Sequence, residues 1–415
     1  MAETQARKPK SFWKSLFRTG GYNEKYVRGP MDLAFCSIVL ILLVIGIIMM
    51  FSAGYAWAIR KQGSGTYYVG RQLIFSGVGL VAMFLISFFD YHNFRRPIIA
   101  YGLYAVQLVM LVLVKWSPLG VDNNGARRWL KIPGFPEFQP SEITKFAIII
   151  IFAYLISMNY SKLEKFSYGV VPFAVLLAVP AFLIITQTHL SATIIICAIG
   201  FVMMFVGGIS KKHLILIGLG GAALITVFVL YKVQVDGIGY FMDRINVWLD
   251  PFSASAQEDP SLWQTQNSLI AIGSGGLFGL GLGNSRQKFL YLPESQNDFV
   301  FAVICEELGF CGAVLVLLIF IMFVLRGFYI ASKAPDKFGM MLVVGLTFQI
   351  GLQALFNIAV VTNAIPNTGI SLPFFSYGGT ALCMQLAQMG VILNVSRQCV
   401  FSEPKQEIVK QTVKE

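Results

Sequence analysis

Apolar residues in this chain fall in blocks of membrane length rather than in the stripes of a soluble amphipathic fold. A helix needs roughly 20 residues to cross a hydrocarbon core of about 30 Å. Ten blocks reach or approach that length: 31–57, 70–89, 97–115, 142–158, 168–186, 190–208, 213–231, 298–325, 338–362 and 376–395. The fifth and sixth are separated only by Gln187-Thr-His-Leu190 and read as a hairpin. The pattern predicts an all-α polytopic membrane protein of about ten transmembrane helices, with a large outer loop, 232–297, between helices 7 and 8. One membrane domain covers 31–397, between a polar, basic segment 1–30 and a short tail 398–415. The first apolar block is too long for a signal-peptide core, so it reads as a retained span.

Composition agrees. Of 415 residues, 56% are hydrophobic and 13% charged, against about 25% charged in soluble domains. The net charge of +11 does not point to nucleic acid, because the basic residues lie scattered between apolar blocks and form no stripe. Cytoplasmic loops explain them better. With the N-terminus inside, Arg7 to Arg28, Arg95-Arg96, Lys162 and Lys165, Lys211-Lys212, Arg326, Lys333, Lys337 and the tail all fall on one side, as the positive-inside rule requires. Both termini are then cytoplasmic. None of the six cysteines has metal or haem spacing, and no structural disulfide is expected.

The exceptions to the charge rule carry the chemistry. The short outer loop 116–141 keeps Arg127, Arg128 and Lys131 outside. For Lys131 and Lys61, ordinary solvation serves equally well. Arg71 opens the second span, and arginine suits bidentate phosphate recognition. In Pro140-Ser-Glu-Ile-Thr-Lys145, Ser141 is placed to cap the fourth helix, and Glu142 and Lys145 can pair at i, i+3. Asp298 stands where a polar loop that includes Lys288 meets the eighth span; a carboxylate there is costly unless paired or useful. Glu306 and Glu307, two turns deeper, must be paired or protonated. Ser376 and Tyr377 offer hydroxyls before the last span. The stretch Ile272–Gly283 is too glycine-rich for a regular helix and lacks the context of a phosphate-binding loop.

Taken in order, several motifs resemble the SEDS family (shape, elongation, division and sporulation; the FtsW, RodA and SpoVE proteins). They are Arg71-Gln-Leu, Gly125-Ala-Arg-Arg-Trp129, Gln139-Pro-Ser-Glu-Ile-Thr-Lys145, Gln266-Asn-Ser-Leu-Ile-Ala-Ile-Gly-Ser-Gly-Gly276, Leu290-Tyr-Leu-Pro-Glu294, Asp298-Phe-Val-Phe-Ala, Glu306-Glu-Leu-Gly309 and Leu372-Pro-Phe-Phe-Ser-Tyr-Gly-Gly379. The wording of Asn267-Ser-Leu-Ile-Ala-Ile and Gly283-Asn-Ser-Arg-Gln-Lys288 is closer to the division and sporulation branch. The chain departs from the family at His189, where an aspartate is usual, and at Gln296-Asn297, where a His-Thr pair is frequent.

The resemblance implies a peptidoglycan glycosyltransferase that polymerises lipid II at the outer face of the cytoplasmic membrane. Asp298 would be its catalytic base. Arg71, Arg127, Arg128, Glu142, Lys145, Arg244, Lys288, Ser376 and Tyr377 would contact substrate or pyrophosphate, with Glu306, Glu307 and His189 in support. It leaves room for a divalent cation, Mg or Mn, and implies no organic cofactor. The implied partners are a class B penicillin-binding protein and other divisome or sporulation membrane proteins, and no nucleic acid. A lipid II flippase and a scaffold that recruits a transpeptidase are the competing functions.

Overall fold

The computed structural model describes residues 29–123, 126–134, 136–187, 189–221, 248–252 and 260–399. Their main helices are α1 Leu33–Gln62, α2 Tyr67–Phe88, α3 Pro97–Trp116, α4 Pro140–Asn159, α5 Val171–Ile185, α6 Leu190–Val206, α7 Pro260–Ser274, α8 Val300–Lys333, α9 Lys337–Val361 and α10 Gly379–Ser396. Seven helical stretches among the described residues are long and apolar enough to cross a membrane. They correspond to α1–α5, α8 and α9. α6 is apolar but shorter. α10 carries buried Gln385, Gln388 and Asn394 among its apolar residues. Residues 211–221 begin the expected seventh span, and the rest of it lies outside the described residues.

Burial separates core from rim. In α4, 78% of the most apolar window is buried, against 22% in α2, so α4 is the central post and α2 a peripheral helix. Gln349 on α9 donates to Gln388 on α10 at 3.1 Å. Thr144 on α4 donates to Gln107 on α3 at 2.9 Å. In lipid such polar pairs join helices because no water competes for them.

Helix starts follow local chemistry. The Asp32 side chain caps α1 by accepting from Phe35 N at 2.8 Å and pairs with Arg326 at 2.8 Å. Asp336 caps α9 through Gly339 N at 2.9 Å. The α4 start differs from the sequence expectation. Gln139, not Ser141, is the N-cap, and Pro140 occupies the first helical position, where its missing N–H costs nothing.

The region expected to be an outer loop is more structured than that. It contains α7 and then a glycine segment that lies against a break in α8. Gly309 adopts φ 68°, ψ −168° inside α8. The backbone groups freed there are satisfied across the seam: Leu280 N and Gly281 N donate to Glu306 O and Glu307 O, while Phe310 N and Cys311 N donate to Gly276 O and Leu277 O, all at 2.9–3.0 Å. A Cβ on Gly279 or Gly309 would collide with the opposing backbone, so this approach requires glycine.

Candidate active site

Helix ends converge on a cavity of about 840 Å³. The C-terminus of α1 supplies Lys61, and α2 supplies Arg71. α4 brings Glu142 and Lys145, α9 brings Gln353, and the segment before α10 brings Tyr377. The N-terminal ends of α4, α6 and α10 open onto it, and so does the turn before α8. Helix N-termini favour anions through their unpaired N–H groups and dipoles.

A small hairpin, β1 Gly120–Asn123 paired with β2 Ala126–Leu130, closes one side. Its register skips a residue: Val121 faces Trp129 and Asp122 faces Arg127, which leaves Arg128 as the extra residue of a bulge. Bulges re-aim side chains, and the two adjacent arginines part company here. Arg127 turns back and donates to Gly120 O and Ser117 O at 3.2 and 2.9 Å and to Lys115 O at 3.4 Å, neutralising the carbonyl end of α3. Arg128 lines the cavity.

Asp298 lies in the turn before α8. The helix starts two residues later, and Asp298 does not cap it. Three consecutive carbonyls of this turn are held: Tyr377 N donates to Gln296 O at 2.8 Å, Ser376 Oγ to Asn297 O at 2.6 Å, and Asn357 Nδ2 to Asp298 O at 2.7 Å. The Asp298 carboxylate itself receives no hydrogen bond from the described residues. A Cβ added at Gly369, itself at φ 66°, would stand 3.4 Å from Asp298 Oδ2. Burial, helped by the negative charge of Glu294 and opposed by Arg128, pushes the carboxyl up to about 6.

The other predicted residues divide. Lys145 donates to Glu142 at 2.8 Å and to Gln353 Oε1 at 2.9 Å. Arg71 lies 4.9 Å from the Tyr67 ring and against the Tyr377 hydroxyl, which burial raises above its usual range and Arg71 partly restores. His189 accepts from Ala192 N through Nδ1 at 3.2 Å, capping α6, and contacts Gln139 through Nε2. Burial, with Arg128 and Lys145 nearby, pushes its imidazole down to about 3. It is therefore a neutral group in the cavity wall, where an aspartate would be an anion.

Four predicted residues are engaged elsewhere. The Ser376 hydroxyl holds the Asp298 turn and accepts from Leu372 N at 2.7 Å. Lys288 is buried and bonded to Glu307 at 2.8 Å, Ser52 at 2.9 Å and Gly283 O at 2.6 Å. Glu306 accepts from Arg286 N at 2.9 Å and from the Ser285 hydroxyl. Both deeper carboxylates thus tie the segment carrying Asp298 to α8 and α1. Arg244 lies outside the described residues. Sequence reasoning gave no role to Gln353 or Glu294, which both line the cavity, and left Lys61 and Lys131 undecided; they line it too. Among the described residues no three His, Cys, Asp or Glu side chains come together to hold a metal ion.

A bundle of membrane-length helices whose ends gather Asp298, cations and helix N-termini around one cavity defines a polytopic membrane protein. The chain belongs to the FtsW/RodA/SpoVE family of cell cycle proteins, whose family model matches residues 33–400. It is 42% identical over 369 residues to stage V sporulation protein E of Bacillus subtilis, covering 88% of this chain and 97% of that one. It is 38% identical over 377 residues to a probable peptidoglycan glycosyltransferase FtsW of Trichlorobacter lovleyi, covering 89% and 95%. Among solved structures it resembles a chain of a peptidoglycan synthase complex, with TM-score 0.71, 28% identity and coverage of 88% and 98%. It also resembles the rod shape determining protein RodA of Thermus thermophilus, with TM-score 0.64, 26% identity and coverage of 90% and 98%.

Proposed function

We propose that this protein is a peptidoglycan glycosyltransferase that polymerises lipid II into glycan strands, with Asp298 as general base. The observation that carries the reading is the Asp298 carboxylate, held by its backbone, unsatisfied at its oxygens, and set in a cavity with Arg71, Arg128 and Lys145. The names of the SpoVE and FtsW relatives support the same activity.

The acceptor's 4-hydroxyl lies against Asp298, which takes its proton as the oxygen attacks the anomeric carbon of the donor. The new C–O bond forms as the bond to pyrophosphate breaks, and the lipid pyrophosphate leaves with the electron pair. A raised proton affinity suits a base. No second carboxylic acid is needed, because pyrophosphate leaves without protonation. Its growing charge is offset by Arg71, Arg128 and Lys145 and by the helix N-termini around them. A divalent cation, Mg or Mn, would add to that offset when bound with the substrate's own phosphates.

In this reading one membrane domain, 31–397, crosses the bilayer ten times, both termini are cytoplasmic, and the cavity faces outward. The basic end of the bundle supports it: Arg326 pairs with Asp32, and Arg95 lies 3.5 Å from Asp336, at the ends of α1, α8 and α9 remote from the cavity. A class B penicillin-binding protein is the partner; the likeness to a synthase complex that couples polymerization to crosslinking supports this. A flippase would need polar groups along a path. Here the deeper charges Lys288, Glu306 and Glu307 are satisfied by one another and by backbone, which favours chemistry at one face.

The test is polymerisation of purified lipid II by the chain bound to its partner, with the partner's transpeptidase blocked. Wild type makes polymer and Asp298→Asn does not. Equal polymer from both would refute Asp298 as the base. No polymer from either, with the partner bound, would refute the enzyme reading.

A further inference from the structure

Four residues before Asp298, Glu294 adopts φ 52°, a left-handed conformation uncommon for a residue with a side chain. Such strain persists where surrounding contacts impose it, and the contacts are present. Glu294 Oε2 accepts from Asn297 Nδ2, and its Oε1 lies 3.9 Å from Lys61 Nζ. Lys61 lies 4.8 Å from the centre of the Trp57 ring, and Trp57 Nε1 donates to Leu292 O at 3.2 Å. The end of α1 thus grips the segment 292–297 at two points, and Glu294 passes that grip to the residue beside Asp298.

The charges around the base are unequal in their pairing. The cations on the cavity wall are Lys61 of α1, Arg71 of α2, Arg128 and Lys131 of the hairpin region, and Lys145 of α4. The anions besides Asp298 are Glu137, Glu142 and Glu294, with His189 and Tyr377 neutral neighbours. Glu142 is paired at 2.8 Å and Glu137 at 3.2 Å, whereas the Glu294 pair is longer, with 47% of the Lys61 side chain exposed. Glu294 is the least compensated anion facing Asp298.

We propose that Glu294 is a positioning residue for Asp298, fixing the turn that carries it and supplying the negative charge against which that base works. This rests on the reading of Asp298 as the base. Glu294 touches no reacting atom in this scheme. It acts through Asn297 and through its field.

The experiment reads Asp298 directly. The full chain in detergent is labelled with a water-soluble carbodiimide and an amine across a pH series, and modification at residue 298 is located by fragment mass spectrometry. Glu294→Gln lowers the midpoint of Asp298 labelling by roughly half a pH unit or more, because a like charge has been removed. Glu294→Asp keeps the charge and leaves the midpoint near wild type. The acid limb of the polymerisation rate moves with the labelling midpoint, and the neutral-pH rate of Glu294→Gln falls several-fold. Lys61→Gln, at a half-exposed site, serves if Glu294→Gln does not fold; it removes the only close cation of Glu294 among the described residues and raises the midpoint. An unmoved midpoint in the folded variants overturns the proposal. A moved midpoint with an acid limb that stays in place upholds the coupling and refutes the base assignment instead.

Discussion

Asp298→Asn separates stability from activity with opposite signs. The substitution keeps shape and removes charge. Activity falls about 10²–10⁴-fold, the usual contribution of a general base. Stability moves the other way. Burial raises the Asp298 carboxyl from 3.8 to about 6, so the folded state holds the proton more tightly than the unfolded chain. Below about pH 4 both states are protonated and the carboxyl costs nothing. Between about pH 4 and 6 the unfolded chain ionises first, and wild-type stability drops as pH rises. Above 6 the full difference applies: about two units at about 1.4 kcal/mol each, an upper limit of about 3 kcal/mol. The asparagine variant does not carry this cost. Thermal unfolding in detergent should therefore show the variant more stable than wild type at pH 7.5 and equal to it near pH 4. A stability difference that does not change with pH would refute the raised affinity, and a fully active variant would refute the base.

Other substitutions test the division of labour. Lys288→Met strands the Glu307 carboxylate in the interior and should cost about 3–5 kcal/mol, seen as a fall in melting temperature, with partial recovery when Glu307→Leu is added. Arg128→Ala should act chiefly on polymerisation, cutting it on the order of 10²-fold. Arg127→Ala should do the reverse, costing about 1–2 kcal/mol in stability as the α3 carbonyls lose their donor. Gly63 and Gly309 share a positive φ, but only Gly309 faces opposing backbone. Gly63→Ala should cost about 1 kcal/mol, and Gly309→Ala should abolish the yield of folded protein.

The seven membrane-length helices were legible because lipid leaves little choice: runs such as Leu33–Gln62 and Lys337–Val361 have no other environment that suits them. The packing of α5 against α6 was legible for the same reason. What escaped was set by contacts between distant segments. The family resemblance placed Lys288 at the substrate, yet it is buried against Glu307, about two turns into α8. The expectation that Glu306 and Glu307 must be paired or protonated held the clue, because Lys288 is the buried cation that Glu307 pairs with. Arg127 and Arg128 were indistinguishable as letters, and only a one-residue skip in strand register separates them. Glu294 was quoted as part of a motif and given no role, since a positive φ leaves no mark in a single sequence.

The seam at Gly309 gives α8 two mechanical identities. Its first turns, Val300 to Leu308, are fastened sideways to the glycine segment and, through Glu307 and Lys288, to α1. The turns beyond Gly309 belong to the bundle's apolar wall. Force arriving along that wall reaches the Asp298 turn through a joint rather than a rigid rod. The position of Asp298 is thereby insulated from much of what α8 does beyond Gly309.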